Sequence, residues 1–221
     1  MFRSLVYLFA AVVAVLVLAQ AQRPIAAADK EKVIKLFNGK DMEGWTYHLT
    51  DKNAKMEDVW SVEDGVIICK GKPAGYIRTK ESYKNYVLTL EWRFNPDKGP
   101  GNSGVLLRMV GKDKVWPKSV EAQLMSGQAG DFWNIDEVKM TVDKSRTKGR
   151  QTVRAKPSLK EKPLGEWNKY RIVVDHGKVQ LYVNGELQNE ASDVEEVAGK
   201  ICLQSEGAEI QFRNIELTPI E

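Results

Sequence analysis

In the stretch SVEAQLM (119–125), two-residue alternation puts Val120, Ala122 and Leu124 on one face of a strand and Ser119, Glu121, Gln123 and Met125 on the other. Glu121 and Gln123 then project side by side, about 7 Å apart at the rise of a strand. A carboxyl and an amide so placed can move a proton and hold a ligand rich in hydroxyls. NYVLTLEWRF repeats the pattern: Val87, Thr89, Glu91 and Arg93 face one way, and Leu88, Leu90, Trp92 and Phe94 the other. Arg108 ends SGVLLRMV among apolar neighbours. Three strands each offering polar groups can build a polar patch on one sheet. An antiparallel sheet with one dry and one wet face gives the same alternation with no site at all.

Other chemistries find little support. The chain has two histidines, His48 and His176. His176 falls in a hairpin turn, and His48, after Gly44-Trp45-Thr46-Tyr47, fits a site margin or plain surface. There is no GxSxG elbow, P-loop or dinucleotide fingerprint. No CxxC or HxxxH spacing occurs, so a structural zinc site is not expected; no metal ligand or cofactor is assigned. Of the six tryptophans, Trp60 and Trp92 have the phase of core residues. Trp116 and Trp133 flank the Glu121 strand in loop-like contexts and are the better candidates to stack on sugar.

The elements that must position these groups are strands. VWSVEDGVIICKG reads as two strands around an Asp64-Gly65 turn. WNKYRIVVD, KVQLYV and ELQNEA form a meander with turns at His176-Gly177 and Asn184-Gly185, and GKICLQSEG and AEIQFRNIELTPI add two more. Lys139 to Glu166 is weakly patterned and expected as a long surface excursion. Many short strands with tight turns predict an all-β, two-sheet antiparallel sandwich or barrel rather than alternating βα units.

Arg3, the uncharged run Leu5 to Leu18 and Ala19-Gln20-Ala21 have the form of a secretory signal peptide over 1–21. The run is shorter than the roughly 20 residues that cross a bilayer. The expected product is an exported protein, periplasmic or secreted, off the membrane once cleaved, with a single domain over 22–221. A formal net charge of +3, with basic and acidic residues interspersed, argues against a nucleic-acid partner. Cys69 and Cys202 each sit in an apolar strand, as buried thiols or as one bridge.

LFNGKDMEGW, GYIRTKESYKNYVLTLEWRF, GNSGVLLRM, VWPKSVEAQLMSGQAGDFW, GEWNKYRIVVDHGKVQLYVNGELQN and LQSEGAEIQFRNIEL occur in this order. Together they resemble the 3-keto-disaccharide hydrolase domain family. The resemblance implies a concanavalin-A-like (laminin-G-like) jelly roll and a sugar substrate whose C3 hydroxyl is oxidised to a ketone. That ketone acidifies the C2 proton, so removing it allows the C1 substituent to leave and water to add, without the oxocarbenium route of ordinary glycosidases. On this resemblance Glu121 is expected as the base and Arg108 as the stabiliser of the enolate. Glu91, Gln123, Gln204 and Glu206 are expected as further acids or hydrogen-bonding groups, with Trp116, Trp133, Asp131 and His48 against the sugar. Many members of the family carry His where this chain has Glu206. A carbohydrate-binding module without catalysis and a purely structural sandwich are the competing readings of the same fold.

Overall fold

The computed structural model describes residues 32–155 and 161–221; the signal-peptide reading of 1–21 lies outside them. In chain order the strands are β1 (Ile34–Lys35), β2 (Trp45–Leu49), β3 (Trp60–Glu63), β4 (Val66–Cys69), β5 (Gly75–Thr79), β6 (Tyr86–Phe94), β7 (Gly104–Val110) and β8 (Lys118–Gln123). They continue as β9 (Phe132–Ile135), β10 (Thr147–Lys148), β11 (Gln151–Thr152), β12 (Asn168–Asp175), β13 (Lys178–Val183), β14 (Glu186–Ala191), β15 (Lys200–Ser205) and β16 (Ile210–Pro219). One sheet runs β14-β13-β12-β6-β16-β4-β3 with β1 on β16; the other runs β10-β11-β9-β8-β7-β15-β5-β2. Neighbouring strands in both are antiparallel. The all-β two-sheet sandwich expected from the alternation is the observed one.

Turn chemistry follows the sequence closely. Asp64 and Gly65 have φ of 49° and 76°, and Asn184 and Gly185 have 49° and 89°, the left-handed pairs that let a two-residue turn match strand twist. In β6 burial alternates along the whole strand: Leu88, Leu90, Trp92 and Phe94 enter the core, and Val87, Thr89, Glu91 and Arg93 face outward. Val105, Val120, Ala122, Phe132 and Leu203 from the second sheet complete the same core. Burial of such side chains, about 1.5–3 kcal/mol each, is what holds the two layers together.

The second sheet departs from a simple wet face. Ser119 to Gln123 are buried on both sides of β8. On the outer side Tyr76, Leu106, Met109, Ile135 and Cys202 form a second apolar cluster. Asp113 accepts hydrogen bonds from Tyr76 Oη and Arg78 Nη2, each at 2.9 Å, which folds the β7–β8 connection back over that face. The weakly patterned 139–166 stretch contributes β10 and β11, a hairpin that extends the sheet beyond β9. Cys69 and Cys202 are both buried free thiols, Cys69 in the inter-sheet core and Cys202 in the outer cluster.

Arg108 is where alternation misleads. Gly104, Leu106 and Arg108 share a phase, but the pairing of β7 with β8 shifts register between Leu107 and Val110. Arg108 there has φ of 50°, and Gly199 packs so closely on its backbone that a Cβ would lie 2.4 Å from it. This β-bulge puts Met109 in the outer cluster and turns Arg108 away from it. The guanidinium is buried and donates to Lys84 O (3.1 and 3.0 Å), Asn85 Oδ1 (3.1 Å), His176 O (2.7 Å) and Glu195 O (2.9 Å). It therefore ties β7 to loops of the opposite sheet. Charged hydrogen bonds of this kind contribute about 1.5–3 kcal/mol, and removing the donor orphans the buried carbonyls. Arg108→Ala is expected to lower unfolding free energy by about 3 kcal/mol in urea titration; a variant as stable as the parent would contradict this role.

Candidate active site

The register of the second sheet brings the polar side chains together. Leu106, Glu121 and Trp133 are cross-strand partners on β7, β8 and β9, and Gly104 lies opposite Gln123. A Cβ at Gly104 would meet Gln204 Oε1 at 2.3 Å and Glu121 Oε1 at 2.4 Å, so both oxygens converge over a bare backbone. Gln123 is fixed by its own turn: its Oε1 accepts from the amides of Leu124 and Met125, each at 2.8 Å. Around these groups lies a hollow of about 180 Å³, lined by Asn102, Trp116, Glu121, Gln123, Met125, Trp133, Ile135, Arg150 and Glu206. A cavity of about 150 Å³ holds a benzene ring, so this partly open hollow has room for a ligand of about one-ring size.

Its lining is unusual in what it leaves unpaired. Asn102 Oδ1, Glu121 Oε1, Trp133 Nε1 and both amide atoms of Gln204 are buried without a hydrogen bond. Buried polar atoms are nearly always paired, and each one left unpaired costs about 1–3 kcal/mol. Those of Asn102, Glu121 and Trp133 line the hollow and those of Gln204 border it, so a polar ligand there would meet unpaired partners.

The electrostatics agree. Glu121 is 4% exposed. Burial pushes its carboxyl up to about 8; the neighbouring Glu206 adds to the rise, and Arg150 opposes it. Burial likewise brings Glu206 up to about 7. Two carboxyls close enough to repel cannot both ionise freely, so at neutral pH the pair retains a proton. Arg150 stands over the Trp133 ring, its guanidinium carbon 5.9 Å from the centroid, and that guanidinium makes no hydrogen bond or ion pair among the described residues.

Of the residues expected from sequence, Glu121, Gln123, Trp116, Trp133 and Glu206 line the hollow, and Gln204 borders it through Gly104. Arg108 does not, because the bulge turns it into the loops of the other sheet. Glu91 does not either: it faces outward as expected, but from the opposite sheet, where its Oε2 accepts from Arg213 Nε at 2.7 Å. Asp131 is buried and spent on structure, accepting from Gln151 Nε2 and from the backbone and guanidinium of Arg154. His48 lies on the edge strand β2, its ring 5.6 Å from that of Tyr76, with β5 between it and β15.

Arg150, Asn102 and Met125 also line the hollow, and of these the alternation places only Met125 on the Glu121 face. Arg150 sits at the tip of the β10–β11 turn beside Gly149, whose φ is 58°. The only hint of it in the sequence is the Gly-Arg pair inside the weakly patterned stretch.

Comparison with known proteins agrees with this architecture. Residues 32–218 match the family described as the 3-keto-alpha-glucoside-1,2-lyase-like domain. A 3-keto-disaccharide hydrolase of Bacteroides thetaiotaomicron is 30% identical over 68% of this chain, which spans 55% of that protein's length. A candidate glycosyl hydrolase from Parabacteroides distasonis superposes with a TM-score of 0.64 at 25% identity, over 86% of this chain and 94% of that one. At 12–13% identity, a carbohydrate-binding module of Bacillus subtilis (TM-score 0.56, 78% and 94% covered) shares the fold, as does a Bacillus licheniformis β-glucanase (0.53, 85% and 97%). The sandwich is thus a concanavalin-A-like jelly roll.

The raised carboxyl has a consequence for stability. Glu121 keeps its proton in the folded state at pH values where the unfolded chain has lost it. It therefore costs stability as pH rises from the ordinary glutamate range toward 8, and costs nothing below that range. Glu121→Gln is expected to stabilise the protein by on the order of 2 kcal/mol near pH 8 and by almost nothing near pH 4. Urea titration at the two pH values checks this, and an equal effect at both would remove the desolvation account.

Proposed function

The chain belongs to the 3-keto-alpha-glucoside-1,2-lyase-like domain family, and on that premise we propose that it cleaves 3-keto-glycosides by elimination across C1 and C2. The family match and the relative's name both support a glycoside-hydrolase-like activity. The observation that carries the finer reading is the buried, unpaired Glu121 beside Glu206, under the free guanidinium of Arg150, in a hollow of one-ring size.

In the proposed reaction a carboxylate takes the C2 proton, and the C–H electron pair passes into a C2–C3 enolate. Arg150 and the unpaired amide of Gln204 face the oxygen on which that charge collects; one such donor is worth about 2.7–4 kcal/mol. Collapse of the enolate breaks the C1–O bond, forms a C1–C2 double bond conjugated to the ketone, and expels the leaving oxygen, which takes a proton from a carboxylic acid. Water adding at C1, with a proton returning to C2, completes hydrolysis; release before that step gives a lyase product.

In this reading Glu121, the more deeply buried of the two, holds the proton delivered to the leaving group, and the more accessible Glu206 acts as the base. This exchanges the role expected of Glu121 from sequence. Trp133 supplies an aromatic wall, and the fixed Gln123 amide holds ring hydroxyls. The acting protein, in this reading, is exported to the periplasm or beyond. Among the described residues no helix is long and apolar enough to cross a membrane.

Aglycone release from a 3-keto-glucoside but not from its unoxidised parent, with deuterium from heavy water entering at C2, is the expected result. Binding of either sugar with no release would favour a carbohydrate-binding module instead. The rate needs Glu206 ionised and Glu121 protonated, so kcat/KM should rise through about pH 7 and fall through about pH 8. Glu206→Gln should lower it by about 10²–10⁴-fold and remove the acid limb. If Glu121→Gln removes that limb instead, the two roles are reversed.

A further inference from the structure

Strand β7 runs between β8, which carries Glu121 and Gln123, and β15, which carries Gln204. Neighbouring strands lie about 4.8 Å apart, so groups on β8 and β15 stand two spacings from each other. A side chain on the same face of β7 between them would hold them apart. At position 104 there is none.

The backbone does not call for this glycine. Gly71 and Gly75 have φ of 81° and 155°, conformations that residues with side chains rarely adopt, whereas Gly104 lies in strand β7 outside that range. Close packing of main chain does not call for it either. A Cβ at Gly71, Gly75 or Gly199 would strike backbone atoms of Ala208, His48 or Arg108, and one at Gly101 would strike Ala208 and the Phe94 ring. At Gly104 the nearest atoms are instead the ends of two polar side chains, Gln204 Oε1 and the Glu121 carboxyl. Those ends can move, but the backbones beneath them are fastened. Next to Gly104, the buried Ser103 donates from Oγ to Gln204 O at 2.8 Å, and its carbonyl accepts from Leu124 N at 2.9 Å. These bonds tie β7 to β15 on one side and to the end of β8 on the other.

We propose that Gly104 is a positioning residue: its missing side chain seats the Glu121 carboxyl and the Gln204 amide over one spot of the sheet, where a ligand meets both. Its effect on rate rests on the reaction proposed above, and its effect on where Glu121 stands rests on the geometry alone. A carbon and an oxygen in contact sit about 3.3–3.6 Å apart, so a methyl group at this position would push both ends outward by about 1 Å. A misplacement of about 1 Å can cost about 10²-fold in rate. The displaced carboxyl also moves toward water, and the desolvation that holds its proton weakens.

The test is Gly104→Ala, read in three ways. Its urea midpoint should be no lower than the parent's, because alanine at an unstrained strand position is the better residue. On a 3-keto-glucoside its kcat/KM should fall by roughly 10²-fold. In a carbon-13 titration of labelled glutamates the Glu121 midpoint should move down from the parent's value, a readout that a glycine serving only the fold would leave alone. A parental rate, an unmoved Glu121 midpoint or a variant that loses its fold would each overturn the assignment. If the parent itself releases nothing from the sugar, the reaction proposal falls by itself. The titration then decides the role of Gly104: a downward shift of the Glu121 midpoint in the variant upholds it, and no shift overturns it.

Discussion

A carboxyl group drawn out of water without a partner is the feature on which the rest of this molecule turns. Glu121 is held in that state by strands on either side and by the apolar side chains of Leu106 and Ile135 next to it. Isolation of this kind is unfavourable for folding, and natural proteins retain such costs mainly where function needs them. The sandwich can carry the burden because its inter-sheet core is continuous and independent of the hollow.

Two kinds of buried polar group separate structure from chemistry here. Arg108 is desolvated but its donors are taken by backbone carbonyls and Asn85, so it holds loops together. Asp131 is likewise satisfied by Gln151 and Arg154. Glu121 and Gln204 have no such partners. Burial alone would have ranked all four alike; satisfaction of their hydrogen bonds distinguishes the site.

Much of the architecture was legible in the sequence, because it follows from period-two alternation and left-handed turn pairs. Trp92 in the core and Glu121 on the opposite face of its strand are direct readings of that kind. The failures have physical causes. A bulge is a one-residue shift, and in GVLLRMV nothing marks where it falls, so Arg108 takes the wrong face. Alternation gives the face of a strand but not which of two sheets the strand joins, so Glu91 lands on the far side of the molecule. Arg150 reaches the hollow from a short hairpin placed by tertiary pairing with β9, for which its weakly patterned neighbours carry no local signal.

The hollow holds two carboxyls drawn up by burial, Glu121 further by the neighbouring Glu206. The direct measurement is a carbon-13 NMR titration of side-chain-labelled glutamates, with the two signals assigned by loss in Glu121→Gln and Glu206→Gln. The expected midpoints are displaced toward neutrality, about 8 for Glu121 and about 7 for Glu206. Midpoints for both in the ordinary glutamate range, near 4.3, would contradict it.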